Sequence, residues 1–401
     1  MPPNKKILFV KIVYIHQYFK TPEQGGAIRS YYIAKGLVDA GHEVEIITAH
    51  NYSRYVFKHV DGIKVHYLPV SYKNDYGFLR RTVAFYRFVS AAYMRATKIN
   101  AVDLYYITST PLTVAHIALK IKKLGFKYVF EVRDLWPEAL VKLGLIKWGF
   151  IKNYLYKLEQ DAYDNAEKII ALSPDMKLYI SNKANGTPVE VVPNFSDCEF
   201  FEPDIKHPFI ARKYNCESKF TVAYIGAVGK ANHLGYLLAV ANLAQKQKLN
   251  IQFLIMGEGN DLGAITQSVI KQGLNNTTIL APGDKEKVKE VLSITDAVYV
   301  SYLNVPVLGA GSPNKFFDAL AAGKLCIVNT QGWLKTTVEN AHCGFYTNPE
   351  NPENFIKKIK PYTTDKQKLK SIQDNARILA EQQFSRTENV KKLIESLEKT
   401  C

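Results

Sequence analysis

Lys11 to Thr48 reads K-I-V-Y-I-H-Q-Y-F-K-T-P-E-Q-G-G-A-I-R-S-Y-Y-I-A-K-G-L-V-D-A-G-H-E-V-E-I-I-T, and its periodicity changes twice. Lys11 to Phe19 is β-branched and aromatic, Ile28 to Ala40 carries apolar residues at helical spacing, and Gly41 stops that helix ahead of Val44 to Thr48. Strand, helix and strand in that order form a β-α-β unit. Strand patterns follow at Val102 to Thr108, Tyr128 to Val132, Lys168 to Leu172 and Val189 to Pro193, with helical stretches between them. The rhythm restarts at Thr221 to Ile225, Ile251 to Met256, Thr278 to Leu280, Ala297 to Ser301 and Cys326 to Asn329. This alternation predicts an α/β protein with two doubly wound parallel sheets, each covered by helices.

Two such domains suit 401 residues, because single cores stop growing near ~250–300 residues. Asn194 to Asn215 lacks clear periodicity and is rich in Pro, Asp and Phe, so the junction is expected there. The expected division is a first Rossmann-like domain over 1–197, a linker over 198–215 and a second Rossmann-like domain over 216–380. The last helix, 381–401, has no strand left to cover and is expected to cross back to the first domain. In open α/β sheets ligands bind beyond the carboxyl ends of the strands, so the chemistry is expected on strand-to-helix loops.

Composition excludes several classes. With 47% hydrophobic and 22% charged residues and no low-complexity tract, the chain reads as folded rather than disordered. Its apolar runs fall far short of the ~20 residues of a membrane-spanning helix. The apolar stretch after Lys5 and Lys6 is broken by Lys11, His16 and Gln17, which argues against a secretory signal. The five cysteines are scattered without C-x-x-C spacing, as expected of reduced thiols in a cytoplasm, and suggest neither a disulfide framework nor a zinc site. A net charge of +15 suits a polyanionic small ligand, an anionic membrane or nucleic acid, but no nucleic-acid-binding motif accompanies it.

Leu308 to Lys324, L-G-A-G-S-P-N-K-F-F-D-A-L-A-A-G-K, is the most informative stretch for chemistry. Ser312 suits a helix N-cap and Pro313 the first helical position, which leaves free N–H groups where phosphate binds. Lys315 adds a cation in the first turn, and Asp318, one turn after Asn314, is placed to accept from ribose hydroxyls. A capped helix with a glycine-rich lead-in is the plainer alternative. In Y-I-G-A-V-G-K, Gly226 and Gly229 form a tight loop that presents Lys230, either to a diphosphate or simply to solvent. Gly257-Glu258-Gly259 follows the next strand without the full dinucleotide spacing. In the first half, Gly25 and Gly26 allow close backbone approach and Arg29 is either an anion clamp or a solvated arginine. E-V-R-D-L-W-P-E, Glu131 to Glu138, ends an apolar strand. Its carboxylates and tryptophan suit a sugar, or else Arg133 pairs with a neighbouring acid beside a core Trp136.

Taken in order, H-Q-Y-F-x-x-P-x-x-G-G-A-x-R, G-H-E-V, D-L-W-P-E, V-P-N-F (Val192 to Phe195), G-A-V-G-K, S-P-N-K and A-A-G-K resemble the retaining glycosyltransferases of family 4, particularly those of bacterial polysaccharide assembly. The resemblance implies the GT-B fold, two doubly wound Rossmann-like domains facing across a cleft, the first for acceptor and the second for donor. It implies a hexosyltransferase that takes a hexose or N-acetylhexosamine from a UDP-linked or similar nucleotide sugar, with retention and without a metal or other cofactor. The acceptor would be a glycan or lipid-diphosphate-linked glycan in surface polysaccharide, O-antigen or capsule, synthesis. The enzyme would be cytoplasmic and peripheral to an anionic membrane, with no nucleic-acid partner.

Carried over residue by residue, the donor set is Gly26, Gly226, Lys230, Gly257, Glu258, Pro282, Ser312, Pro313, Asn314, Lys315 and Asp318. The acceptor set is Gly25, Arg29, Arg133, Asp134, Trp136 and Glu138. Asp134, Lys230 and Lys315 are the implied catalytic groups. Two departures stand out: the family's first signature glutamate falls at Ala310, and the histidine that many relatives carry near Arg133 and Asp134 is absent from that stretch. A sugar-nucleotide 2-epimerase of the same fold is the nearest rival, and a non-catalytic basic membrane or nucleic-acid binder is the rival of another class. Arg80 to Lys98 reads as a basic amphipathic helix, with Arg80, Arg87, Arg95 and Lys98 on one side and Phe85, Val89, Ala92 and Ala96 on another.

Overall fold

The computed structural model describes residues 9–24, 28–72 and 76–401. Gly25 and Gly26, expected to approach a ligand, lie outside the described residues.

The chain divides into two compact units, 1–193 with 387–401, and 194–386. The sequence reading put the breaks at 197 and 380. The expected linker is folded instead: it contains the helix Pro208–Lys213, and Ala211, Tyr214 and Cys216 pack into the core of the second unit.

In the first unit the strands are β1 (Lys11–Ile15), β2 (Glu43–His50), β3 (Val56–Val60), β4 (Ile63–Pro69), β5 (Leu104–Thr108), β6 (Tyr128–Val132), β7 (Lys168–Ala171) and β8 (Val189–Val191). They lie in the order β3-β4-β2-β1-β5-β6-β7-β8, all parallel except β3 against β4. That pair is a hairpin which the sequence reading did not anticipate, turning at Asp61 and Gly62, both at positive φ. The helices that matter here are α1 (Arg29–Asp39), α2 (Phe78–Ala96), α3 (Ala115–Lys123), α4 (Glu138–Lys142) and α5 (Gly149–Asp164). Helix Arg386–Glu398 belongs to this unit from Thr387 onwards and buries Leu393 and Leu397 in its core with Tyr14, Ile46 and Tyr106. Its seat on α1 explains a glycine inside a helix: a Cβ on Gly36 would lie 2.4 Å from Val390 Cγ1.

The second unit holds β9 (Phe220–Ile225), β10 (Ile251–Met256), β11 (Thr277–Leu280), β12 (Ala297–Val300), β13 (Leu325–Val328) and β14 (Gly344–Tyr346), ordered β11-β10-β9-β12-β13-β14 and all parallel. Leu237, Phe253 and Phe355 fill one face of this sheet, and Val298, Phe316 and Phe317 the other. With helices on both faces and strands buried on both sides, each unit is a doubly wound Rossmann-like domain.

Each sheet has a switch point, where successive connections leave in opposite directions. In the first unit it lies between β1 and β5, in the second between β9 and β12. Loops after those strands diverge and leave a crevice.

Candidate active site

In the second unit the loop after β9 and the loop after β10 lie backbone to backbone. Gly226 N–H donates to Met256 O at 2.9 Å and Val228 N–H to Glu258 O at 2.7 Å. A Cβ on Gly257 would fall 1.8 Å from Gly226 O, and one on Gly259 2.2 Å from Val228 O, so neither position admits a side chain. The loop after β12 is tied to the same place: Leu303 N–H donates to Ala231 O at 2.7 Å, and Ser301 Oγ donates to Asn232 O at 2.6 Å.

Into this constellation projects Lys315. Its Nζ donates to Tyr224 Oη at 2.8 Å and lies 4.0 Å from the Tyr224 ring centroid and 5.9 Å from that of Tyr302. A Cβ on Gly226 would come within 3.0 Å of Lys315 Cε, so the glycine leaves room for the lysine stem. Among the described residues no carboxylate pairs with this ammonium. Burial without a counter-charge pushes Lys315 down to about 7, since the neutral form tolerates desolvation better.

The helix that carries Lys315 runs Asn314–Ala321, with Pro313 as its extended N-cap. It therefore begins one residue later than expected, and Ser312 is not its cap. Ser312 instead holds Asn194: its Oγ accepts from Asn194 N–H at 3.2 Å and its carbonyl from Asn194 Nδ2 at 2.6 Å. This commits Ser312 to the fold rather than to a ligand. Asn314 is exposed at the first helical position. Asp318 sits one turn on, half-buried, and burial raises its carboxyl to about 7, against the pull of Lys285 and with the help of Asp197. Lys230 is exposed and lines, with His233, Leu234 and Asp261, a pocket of about 220 Å³. Pro282 lies in the exposed loop after the edge strand β11, further out than the two glycine loops.

The first unit treats its charges differently. Arg29 is buried, and donates through Nε to Glu131 Oε1 at 2.8 Å, through Nη1 to Pro193 O at 2.5 Å and through Nη2 to Val192 O at 2.9 Å. This overturns the anion clamp expected of Arg29: three of its donors tie α1 to β6 and to the end of the unit. Thr108 Oγ1 donates to the other Glu131 oxygen at 2.9 Å. Although burial opposes it, Arg29 and Arg133 hold the Glu131 carboxyl below its ordinary range.

His16, at the end of β1, is buried against this group. Its Nδ1 lies 2.9 Å from Ser30 Oγ and its Nε2 3.4 Å from Arg133 Nη1. Burial, then the Arg133 charge, push it down to about 3, so the ring is neutral. The stretch around Arg133 and Asp134 lacks a histidine, and the fold brings one there from β1. Gln17 beside it is 1% exposed, and both its amide atoms lack a partner among the described residues. Asp134 is exposed at the end of β6, with protein crowded around it holding its carboxyl up to about 6 against the pull of Arg133. Trp136 is half-buried, 6.4 Å edge-on from Phe85 of α2. Glu138 starts α4 and accepts from Tyr156 Oη, so it is partly engaged already.

Two family models match this chain almost end to end. "Glycosyltransferase Family 4" matches residues 24–200 and "Glycosyl transferases group 1" residues 207–379. The chain belongs to the family 4 glycosyltransferases of the GT-B fold. A curated relative, the probable glycosyltransferase WbjE of Pseudomonas aeruginosa, is 23% identical over 235 residues. That match covers 57% of this chain, and the chain spans 58% of the relative's length. Among solved structures, sucrose-phosphate synthase from Thermosynechococcus elongatus superposes with a TM-score of 0.80 at 16% identity, covering 97% of this chain and 98% of that one. HepE of Anabaena, solved with UDP and glucose, gives 0.69 at 17% identity over 97% and 100%. At such identities the likeness is one of fold.

For this glycosyltransferase the sequence reading missed Tyr224, Tyr302, His16 and Gln17. The tyrosines look like strand and loop residues of the core. Only the sheet order puts β9 beside β12, so no linear motif announces the pair around Lys315. His16 and Gln17 do carry a signal, two polar residues interrupting an apolar strand end at the switch point.

Proposed function

We propose that this chain is a retaining hexosyltransferase that takes a hexose or N-acetylhexosamine from a UDP-linked sugar and passes it to a glycan or lipid-diphosphate-linked acceptor in cell-surface polysaccharide synthesis. The observation that carries the donor half is Lys315, a half-buried cation between two tyrosines and beside the Gly226 loop, with no carboxylate among the described residues to neutralise it. Such a charge is costly until an anion arrives. The N–H groups that open the helix at Asn314 face the same need, and a diphosphate meets both. HepE, whose fold this chain shares, has been solved with UDP-glucose.

Transfer then rests on stabilising charge that builds on the departing diphosphate, a task for Lys315, Lys230 and the helix start. No metal is needed for that step in this proposal. Asp318 takes the ribose. Asp134 takes the reacting sugar, with Arg133 and neutral His16 setting its surroundings. Calorimetry with UDP-sugars in the presence of a chelator tests the donor, and the anomeric configuration of the product, read by NMR, tests retention. Asp134→Ala should lower turnover far more than donor affinity, since a contact made mainly in the transition state leaves ground-state binding alone. Unaltered turnover would make Asp134 structural.

A further inference from the structure

Two arginines meet beside the first switch point, and they are treated differently. Arg29 is tied by Glu131 and two carbonyls, and Thr108 takes the second Glu131 oxygen, so both oxygens of that carboxylate are engaged. Arg133, two residues further on and half-buried, forms no ion pair among the described residues, either with Asp134 next to it or with another acid. Its one hydrogen bond among them runs from Nη1 to His16 Nε2, 3.4 Å away. The closed pair is scaffold for the open cation beside it.

That contact fixes the tautomer of His16. A guanidinium only donates, so Nε2 is the bare nitrogen and the ring proton sits on Nδ1, which donates to Ser30 Oγ at 2.9 Å. The ring is neutral, in keeping with a value depressed to about 3. Ser30 follows Arg29 in the first turn of α1, so neighbouring residues of one helix close one arginine and aim the other. A neutral acceptor holds a cation in place without discharging it. Most of the Arg133 donor fork is left without a partner among the described residues.

An aromatic wall adjoins this fork. From buried His16 a run of half-buried rings leads round to Trp136, three residues after Arg133: centroids lie 6.3 Å apart from His16 to Tyr18, 5.1 Å from Tyr18 to Tyr72, 5.7 Å from Tyr72 to Phe85 and 6.4 Å from Phe85 to Trp136. Apolar ring faces with one oriented cation suit a ligand that has an apolar face and a single charged group.

We propose that His16 is a positioning residue that presents the Arg133 guanidinium to an oxyanion carried on the acceptor sugar itself, a phosphate or a carboxylate, while the sugar ring lies along Tyr18, Tyr72, Phe85 and Trp136. The planar fork of an arginine meets either oxyanion through two parallel hydrogen bonds, which a lysine does not. The inference rests on the transferase reading and narrows it, since a neutral sugar leaves Arg133 without its counter-charge.

The test titrates the whole chain, with and without UDP, against glucose 1-phosphate, glucuronate, methyl glucoside and inorganic phosphate by calorimetry. Wild type should bind one of the two charged sugars at least about tenfold tighter than methyl glucoside, and the tighter of the two names the oxyanion. Arg133→Ala should abolish that preference. His16→Leu should lower it by about fivefold, as expected for one weakened charged hydrogen bond, with methyl glucoside affinity unchanged, and His16→Gln, which keeps an acceptor oxygen, should restore part of it. A merely structural His16 would weaken charged and neutral sugars alike without moving their ratio, and that outcome overturns the positioning role. Equal binding of charged and neutral sugars by wild type, or none of either, overturns the anionic acceptor, as does inorganic phosphate binding as tightly as glucose 1-phosphate, which reduces the site to an adventitious ion only. UDP affinity on the same preparations keeps the readings apart. UDP binding without a preference for the charged sugar sinks this inference alone, and a charged-sugar preference without UDP binding sinks the donor reading alone.

Discussion

The two switch points handle charge in opposite ways. Beside the first, on β6 next to β5, Glu131 and Arg29 neutralise each other in the core, and His16 at the end of β1 is held uncharged. Beyond β9, Lys315 has tyrosines for neighbours, and among the described residues no acid pairs with it and no hydrogen bond engages the Asp318 carboxyl. The first arrangement is complete without a ligand. The second is not, and a buried group left without its counter-charge is where a folded protein keeps binding energy in reserve. The comparison separates scaffold from site inside one chain whose two units share an architecture.

It can be broken first at Glu131. If the Arg29–Glu131 pair is structural, Glu131→Ala leaves a guanidinium buried and unpaired, at a cost of about 3–5 kcal/mol. Thermal unfolding should show the first unit's transition fall sharply while UDP binding by what remains folded is kept. A variant of normal stability with impaired acceptor use would move Glu131 from scaffold to site.

Lys315→Ala comes next and should do the reverse. Loss of a charged hydrogen bond to phosphate weakens UDP binding by about 1.5–3 kcal/mol, or about ten- to a hundredfold, with stability kept or raised because a buried charge is gone. Lys230→Ala should act in the same direction. Unchanged calorimetric affinity in both variants would remove the second switch point from consideration as the donor site.

How far this contrast can be read from sequence depends on how local its causes are. The glycine loops are legible, since Gly226 and Gly257 stand directly after apolar strand runs, and so are β6 and β10, whose bounds the pattern matched residue for residue. The hairpin of β3 and β4 was legible in principle. Asp61-Gly62 between two β-branched runs is the usual two-residue turn signal, which the sequence reading passed over. Three-residue β14 carries too little pattern to find, and its place beside β13 shows only in space, where a Cβ on Gly344 would strike Cys326 O at 1.9 Å. Arg29 shows the deeper limit. An arginine after two glycines at a helix start looks like a clamp, and what makes it a tie is an acid 102 residues away.

A smaller effect follows from the protonation of Lys315. Anion binding favours the ammonium, so the lysine, free near 7, must rise on binding and the complex takes up a proton. Affinity is then fully present below about 7 and falls roughly tenfold per pH unit above it, until the bound-state value is reached. UDP-glucose is the right probe because its diphosphate keeps a constant charge over this range. A flat profile for wild type, or the same slope in Lys315→Ala, would show that another group carries the anion.

Asp318 should give the smallest change, and one of opposite sign. Its carboxyl, raised to about 7, is largely protonated at lower pH and ionised above, and the ionised form is the better acceptor for two ribose hydroxyls. Asp318→Asn resembles the protonated state in shape and charge. Wild type and variant should therefore bind UDP-glucose alike near about pH 6, and separate by roughly fivefold near about pH 8, for an interaction of about 1 kcal/mol. Inorganic pyrophosphate has no ribose, so the two proteins should bind it equally at either pH. A loss for pyrophosphate as large as that for UDP-glucose would mean that Asp318 acts on the helix or on Lys285, and would return the ribose contact to an unassigned residue of the second unit.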